Sequence, residues 1–499
     1  MKSWVWKIAR KTITLLAVGV VVLLLVRAYD SQRGLPLEIW HSFVPQELHK
    51  KELEKSDWDG YMKAEAAVFD SVRSEVTQKL PPDERIPVNR YFDGSPIYPG
   101  RFSRDWNRSY VLEPDGPVKG AVLFLHGLTD SPYSLRHIAR LYQAYGFVAI
   151  AIRLPGHGTV PAGLTDIEWE DWSAATRLAA REAQRRIAPD QPLHVVGFSN
   201  GGALALMYAL DTLDEARLKR PDRIILISPM IGITAFARFA GLAGLPAIFP
   251  PFAKAAWLGV VPEFNPFKYN SFPVNGARQS HLLTTALQNR IASRGGGGLD
   301  GLAPILTFQS VMDFTVSTRA ILSGLYAHLP ANGSELVLFD VNRNTKFGPL
   351  LSSASDTMLA RILPDPPRRF RTTIITNADP ERTDVVARMV EAGTETERVE
   401  ELGLDYPFDV YSLSHVALPF PTTDSLYGQH PDPNEDFGIQ LGAVAARGER
   451  GALIVSMDAL LRMSSNPFFP YLLGRIEETL TEQVSGKESS HLSPDGRSP

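Results

Sequence analysis

The stretch from Leu193 to Leu210 reads L-H-V-V-G-F-S-N-G-G-A-L-A-L-M-Y-A-L. The β-branched pair Val195-Val196 enters a G-x-S-x-G pentapeptide, Gly197 to Gly201 with Ser199 at its centre, and an Ala/Leu helix pattern leaves it. The order is strand, sharp turn, helix. A serine on such a turn is lifted clear of the sheet, and side chains two positions before and after it would collide. Gly197 and Gly201 avoid that collision, and Gly202 adds clearance for the helix. The same letters also occur by chance as a plain glycine turn, so the flanking chain has to decide.

Working outward, an alternation of strands and helices surrounds this unit. Ala121 to Leu125, Val148 to Ile152 and Arg223 to Ser228 are short apolar runs, with helix patterns over Ser134 to Tyr145 and Trp169 to Ile187. Runs apolar on both faces and separated by helices predict a mostly parallel central sheet covered by helices. Val88 to Pro117, rich in aromatics, Gly and Pro, reads as opening antiparallel strands and turns. Between Pro229 and Pro304 the rhythm breaks into an apolar stretch punctuated by Gly and Pro, a polar helix near Gln279 to Ile291 and a Gly295 to Gly298 connector. This is read as a lid, about residues 230–303. Pro304 to Gln309 and Glu335 to Val341 resume the sheet.

A second insertion, about residues 342–404, contains a strand-like Arg371 to Thr376 and a helix pattern around Thr383 to Ala392. Phe408 to Leu413 reads as the last sheet strand and Phe469 to Leu480 as a closing helix. The expected organisation is an N-terminal membrane anchor or signal segment (1–30), a linker with an amphipathic helix (31–85), one large α/β domain (86–483) and a disordered Ser/Pro/Gly tail (484–499). The helix within 31–85 is drawn by Met62, Ala66, Phe69, Val72 and Val76 and stopped by Pro81-Pro82.

A net charge of −4 gives no general attraction to nucleic acid or to an anionic membrane surface, and none is expected as a nucleic-acid partner. The absence of cysteine excludes disulfides, thiolate metal sites and a cysteine nucleophile. Lys2, Lys7, Arg10 and Lys11 precede an apolar run from Ile13 to Val26, with Trp4 and Trp6 where interfacial aromatics lie. The segment reads as an uncleaved inner-membrane anchor with the N-terminus cytoplasmic and the remaining chain facing the periplasm or exterior. The alternative is secretion after cleavage near Ala28. Nothing in the sequence sets the oligomeric state.

Three motifs in one order resemble the α/β-hydrolase superfamily: H-G-L-T-D-S-P at His126 to Pro132, P-G-H-G at Pro155 to Gly158, and G-F-S-N-G-G at Gly197 to Gly202. From about Val118 to Leu329 the chain is similar to the branch holding monoacylglycerol lipases, microbial carboxylesterases and serine-aminopeptidase-like hydrolases. The resemblance implies an α/β-hydrolase fold, Ser199 as nucleophile, and oxyanion donors at the backbone N–H groups of Leu128 and Asn200. It implies structural roles for His126 and His157. It places the acid at Asp313, in D-F-T-V after the Pro304 to Gln309 strand. Asp379 stays open as an alternative acid, because 102 residues separate Asp313 from the candidate base, far more than the family's few tens.

Chain order Ser, Asp, His requires a histidine after the acid and near a strand end, and His415 in Y-S-L-S-H-V-A-L-P-F meets both conditions. The expected protein is a serine hydrolase of carboxylic esters working through an acyl-enzyme, with no metal or organic cofactor. A small-molecule ester or lipid is its expected substrate, and an apolar lid on a membrane-tethered enzyme suits an acyl chain. The lid's apolar residues serve equally well as its own core. An acyltransferase would share every motif, and a non-catalytic binding module on the same fold is the alternative of a different class.

Overall fold

The computed structural model describes residues 2–232, 244–295, 298–343, 362–408, 410–443 and 465–491. Its strands are β1 (Tyr110–Leu112), β2 (Gly120–Leu125), β3 (Phe147–Ile152), β4 (Leu193–Phe198) and β5 (Arg223–Ile227), then a small pair β6 (Trp257–Gly259) and β7 (Phe272–Pro273). They continue with β8 (Ile305–Ser310), β9 (Glu335–Phe339), β10 (Arg371–Asn377), β11 (Asp384–Val390) and β12 (Glu397–Asp405). The longer helices are α1 (Lys2–Ser31), α2 (Trp58–Glu75), α3 (Arg136–Ala144), α4 (Trp169–Arg185), α5 (Asn200–Asp214), α6 (Val274–Ser293), α7 (Thr318–Gly324) and α8 (Phe469–His491).

One sheet runs in the order β1-β3-β2-β4-β5-β8-β9-β10-β11-β12. From β3 to β10 every neighbouring pair is parallel, and the antiparallel pairs lie at the two ends. Alternation along each central strand divides its side chains between two cores. Leu123, Ile150, Val195 and Leu226 face α4, α5 and α6, while Phe124, Ala149, Val196 and Ile225 face α3 and α8. This is why those strands read as unbroken apolar runs. Helix α5 is buried almost throughout, from Asn200 to Thr212, and the Ala/Leu composition on all its sides follows from that position.

Four expectations need correction. Thr383 to Ala392 is strand β11, not a helix: it pairs antiparallel with β10 over six residues, from Thr372↔Val390 to Asn377↔Val385. The adjacent valines Val385 and Val386 fit a strand backbone better than a helix. Phe408 to Leu413 is not a sheet strand. The position beside β9 is taken by β10, which pairs with it in parallel, so the later segment is excluded from the ladder; Phe408 is 53% exposed and residue 409 lies outside the described residues. Residues 484–491, expected in a disordered tail, continue α8; 492–499 lie outside the described residues. The expected opening strands between Val88 and Pro117 reduce to β1, the remainder being turns and single-turn helices.

The segment after α1 packs into the body of the molecule. Asp57 caps α2 by accepting the Gly60 N–H, and the helix buries Trp58, Tyr61, Glu65, Val68 and Val72. That face is rotated from the one the sequence marks, since Ala66 is exposed and Phe69 is only half-buried. Glu65 lies inside because it meets a buried arginine. Arg153, at the exit of β3, donates bidentately to Glu47 at 2.7 and 2.8 Å and through Nε to Glu65 at 3.2 Å.

Candidate active site

The turn between β4 and α5 holds Ser199 at φ 53° and ψ −115°, a left-handed conformation costly for any residue with a Cβ. Its neighbours fix it there. The Ser199 N–H donates to the Ile227 carbonyl (3.0 Å), and its own carbonyl accepts from Met230 N–H (2.9 Å). A Cβ at Gly197 would overlap the Gly201 carbonyl, one at Gly201 would overlap the Leu125 carbonyl, and one at Gly202 would stand 2.7 Å from Pro229 Cβ. The three glycines are therefore steric requirements of the turn.

His415 Nε2 is 2.9 Å from Ser199 Oγ, and His415 Nδ1 is 2.8 Å from Asp313 Oδ2. The serine and the histidine are 5% and 4% exposed. The imidazole lies over the Phe198 ring, centroids 5.4 Å apart and 28° between planes. Although not on a strand, the His415 segment is anchored by side chains at the ends of neighbouring strands. Ser310 Oγ donates to the Leu413 carbonyl (2.9 Å), and Asn342 Nδ2 donates to the Val410 carbonyl (2.7 Å).

Asp313 is fixed as an acceptor. Its Oδ1 takes the Thr315 and Val316 N–H groups (2.8 and 2.9 Å), the Asx-turn geometry that a short D-x-x-V loop provides. Its Oδ2 faces His415 and also receives Gln309 Nε2 at 3.2 Å. A carboxylate can only accept, so Nδ1 of His415 carries the proton and Nε2 is left to accept from the serine hydroxyl. Asp379 is elsewhere: exposed in the turn after β10, it accepts the Glu381 N–H (2.8 Å) and is not brought to His415.

The H-G-L loop leaves β2 and passes against the serine. A Cβ at Gly127 would lie 3.3 Å from Ser199 Cβ, so the loop approaches as closely as glycine permits. Leu128 follows, then Thr129 at φ 61°. Asn200 is the first residue of α5, where backbone N–H groups lack intrahelical acceptors and carry the positive end of the helix dipole.

His126 and His157 serve the loops. His126 Nδ1 pairs with the Gly127 carbonyl (2.9 Å), while its Nε2 accepts the Leu154 N–H (3.0 Å), tying the H-G loop to the P-G-H-G loop. Burial, with His157 and Arg153 nearby, holds His126 far below the ordinary imidazole range. Burial also pushes His157 down to about 4, and its ring packs on Trp172.

Three contributors carry no sequence signal of their own. Gln309 holds Asp313 from β8. Tyr269 donates its backbone N–H to the Thr129 carbonyl (2.7 Å) and its hydroxyl to the Gly156 carbonyl (3.0 Å), while the hydroxyl accepts the Thr159 N–H (2.8 Å). It therefore joins both loops to the segment between β5 and β8. Glu47 accepts the Gly156 N–H (2.9 Å) besides pairing with Arg153. An arginine at the exit of an apolar strand signals that carboxylates must reach it, without indicating which. In the segment between β5 and β8, Phe267 stacks on Tyr133 at 4.0 Å within the cluster on the α3 and α8 side of the sheet, and Trp257 is buried edge-on to His41 in a cluster with Trp40 and Tyr91, so these rings seat the segment on the body of the molecule. Phe236, Phe239 and Leu242 lie outside the described residues.

Residues 122–411 match the family described as the alpha/beta hydrolase family. A stretch of 130 residues, 26% of the chain, is 35% identical to a thermostable monoacylglycerol lipase of Bacillus sp. (strain H-257) and covers 47% of that protein, so the chain spans about half the length of this curated relative. Similar solved structures include one from the work on LipS and LipT, two metagenome-derived lipolytic enzymes, at 23% identity, covering 47% of this chain and 88% of the other with a TM-score of 0.37. Another is Est1E of Butyrivibrio proteoclasticus with bound ferulic acid, at 18% identity, 46% and 84% coverage and a TM-score of 0.34. A soluble variant of the Saccharomyces cerevisiae monoglyceride lipase with a substrate analog is similar at 16% identity, 46% and 81% coverage and a TM-score of 0.35.

Proposed function

The chain belongs to the alpha/beta hydrolase family, and from that premise we propose that it is a serine hydrolase of carboxylic esters, with Ser199, His415 and Asp313 as its triad. The observation that carries this reading is the relay of His415 between Ser199 Oγ and Asp313 Oδ2, at 2.9 and 2.8 Å, on a backbone strained at the serine.

In the proposed reaction Ser199 Oγ attacks the ester carbonyl while its proton passes to His415 Nε2. Asp313 stabilises the imidazolium and keeps its tautomer. The N–H groups of Leu128 and Asn200 receive the oxyanion, a contribution of about 3 kcal/mol per donor where such donors have been removed. The imidazolium returns the proton to the departing alkoxide. Water, activated by the same histidine, then releases the acid from Ser199.

The substrate we favour is an apolar acyl ester of the monoacylglycerol or lysophospholipid kind. Lipases among the similar proteins and the apolar N-terminal helix support that class. Within Ala9–Ser31 of α1 an 18-residue window has mean hydropathy 2.2 and is almost wholly uncovered by the protein. We read it as a retained anchor, with the basic N-terminus cytoplasmic and the catalytic domain outside the inner membrane. Retention is favoured by the packing of Ala28 and Ser31, both buried against the body, and by the hydrogen bond from Arg27 to the Trp257 carbonyl. Cleavage near Ala28 would discard the latter.

Fluorophosphonate labelling of the purified protein tests the nucleophile. An adduct located on Ser199 by peptide mass spectrometry, lost in Ser199→Ala and weakened in His415→Ala, is the expected result. Folded protein that takes no label would sink the mechanism.

A further inference from the structure

Helix α1 is seated on the lid. Besides the Arg27 bond to Trp257, Gln32 Nε2 donates to the Pro251 carbonyl (3.0 Å), and Lys254 Nζ donates to the Arg33 carbonyl. The segment Leu245–Ile248 also lies against α1. Beside this contact the lid leaves two large apolar side chains in the open: Ile248 is 74% and Phe249 64% exposed. Among the described residues neither belongs to a buried cluster, whereas Trp257 packs with Trp40 and Tyr91 and Phe267 with Tyr133 and Phe437.

The position of α1 defines what faces them. The apolar run from Ile13 to Val26 is about 21 Å long at 1.5 Å per residue, and Arg10 and Lys11 before it reach the opposite interface with their long side chains, which brings the span toward the ~30 Å hydrocarbon core of a bilayer. Arg27 then leaves apolar surroundings to bond the lid, and Ala28 and Ser31 are buried in protein. The bilayer boundary therefore falls near Val26 and Arg27. That is the level at which the lid touches α1, with Lys254 and Arg33 at headgroup height.

Resting on the reading of α1 as an anchor, we propose that the tip of the lid, carried by Ile248 and Phe249, is a second membrane contact. It docks in the interface of the leaflet from which α1 emerges. The occupant of this apolar surface is the lipid surface itself. Its consequence is orientation: the lid over Ser199 is pressed to the leaflet holding acyl esters, and substrate enters from lipid.

The chain contains no cysteine, so single introduced cysteines report without background. Full-length protein carrying Phe249→Cys, Leu16→Cys in α1 or Val399→Cys on β12 is labelled with an environment-sensitive fluorophore. Each is reconstituted in phosphatidylcholine–phosphatidylglycerol vesicles containing lipids that quench at shallow or deep positions. We expect shallow quenching at residue 249, deep quenching at residue 16 and none at residue 399. An unquenched 249 beside a quenched 16 overturns the lid contact alone. If residue 16 is unquenched as well, the anchor reading falls with it. As a second readout, Ile248→Ser combined with Phe249→Ser should lower hydrolysis of a vesicle-embedded ester about tenfold and leave a soluble short-chain ester unaffected. Equal rates on both substrates, or equal losses on both, would overturn the proposal.

Discussion

At the scale of single residues, the two acid candidates make opposite predictions. Asp313 accepts the His415 proton and two backbone N–H groups, whereas Asp379 makes a turn of its own in solvent. Asp313→Asn keeps the shape but removes the anion that fixes the tautomer, and kcat on a p-nitrophenyl ester should fall about 10⁴-fold. Asp379→Asn should leave kcat within about twofold, as surface changes away from a site do. His157 gives a pH prediction. Burial lowers it from 6.5 to about 4, so the unfolded chain takes up this proton before the folded one does. Its contribution to stability is complete above pH 6.5 and is lost as the pH falls toward 4. The gap in unfolding free energy between wild type and His157→Asn should shrink across that window, by up to about 1.4 kcal/mol per pH unit. Urea unfolding of both proteins at a series of pH values measures it, and a constant gap would show that His157 titrates as it does in the unfolded chain.

At the scale of elements, the site rests on loops tied together from distant parts of the chain. Arg153 is fully buried, and its positive charge is tolerable because Glu47 meets it bidentately while Glu65 takes Nε. Glu47→Ala leaves that cation short of a partner and releases the Gly156 N–H. A loss of about 3 kcal/mol is expected in urea unfolding, and a change below about 0.5 kcal/mol would contradict the pairing as the reason for the burial. These ties mark the limit of sequence reading. Strands β2 to β5 are legible because both faces are buried and leave uninterrupted apolar runs. The placing of Ser199 on its turn beside His415 is legible because glycines must flank a serine so placed, and the proposed chemistry asks only for a later histidine. Glu47 and Glu65 are not, since they lie 106 and 88 residues from Arg153 and nothing local distinguishes them from solvated glutamates. In β11 the spacing of Val385, Val386 and Met389 satisfies a helical period as well as a strand, and only the partner strand β10 decides. Phe408 to Leu413 misleads for the related reason that strand propensity does not reveal whether a place in the sheet is free.

At the scale of the whole molecule, the region between α1 and the sheet changes character when its contacts are counted as energy. Sequence composition marks residues 31–85 as a linker, yet Trp40, Leu53, Trp58 and Tyr61 are all buried, and Glu47 and Glu65 neutralise the arginine beneath the P-G-H-G loop. Full burial of a large apolar side chain contributes about 2 kcal/mol, and stripping a buried charge of its partners costs about 3 kcal/mol or more. Together these reach the order of 10 kcal/mol, comparable to the entire net stability of an ordinary domain, about 5–15 kcal/mol. Removing α1 alone exposes far less, because most of its surface is already bare. A chain beginning at Leu35 should therefore fold and hydrolyse a soluble short-chain ester at close to the full-length rate, while one beginning at Ile86 should be recovered unfolded or aggregated. Circular dichroism with thermal unfolding, beside fluorophosphonate labelling, separates the two. A folded, labelled chain beginning at Ile86 would mean that Arg153 finds other partners and that residues 31–85 are dispensable to the site.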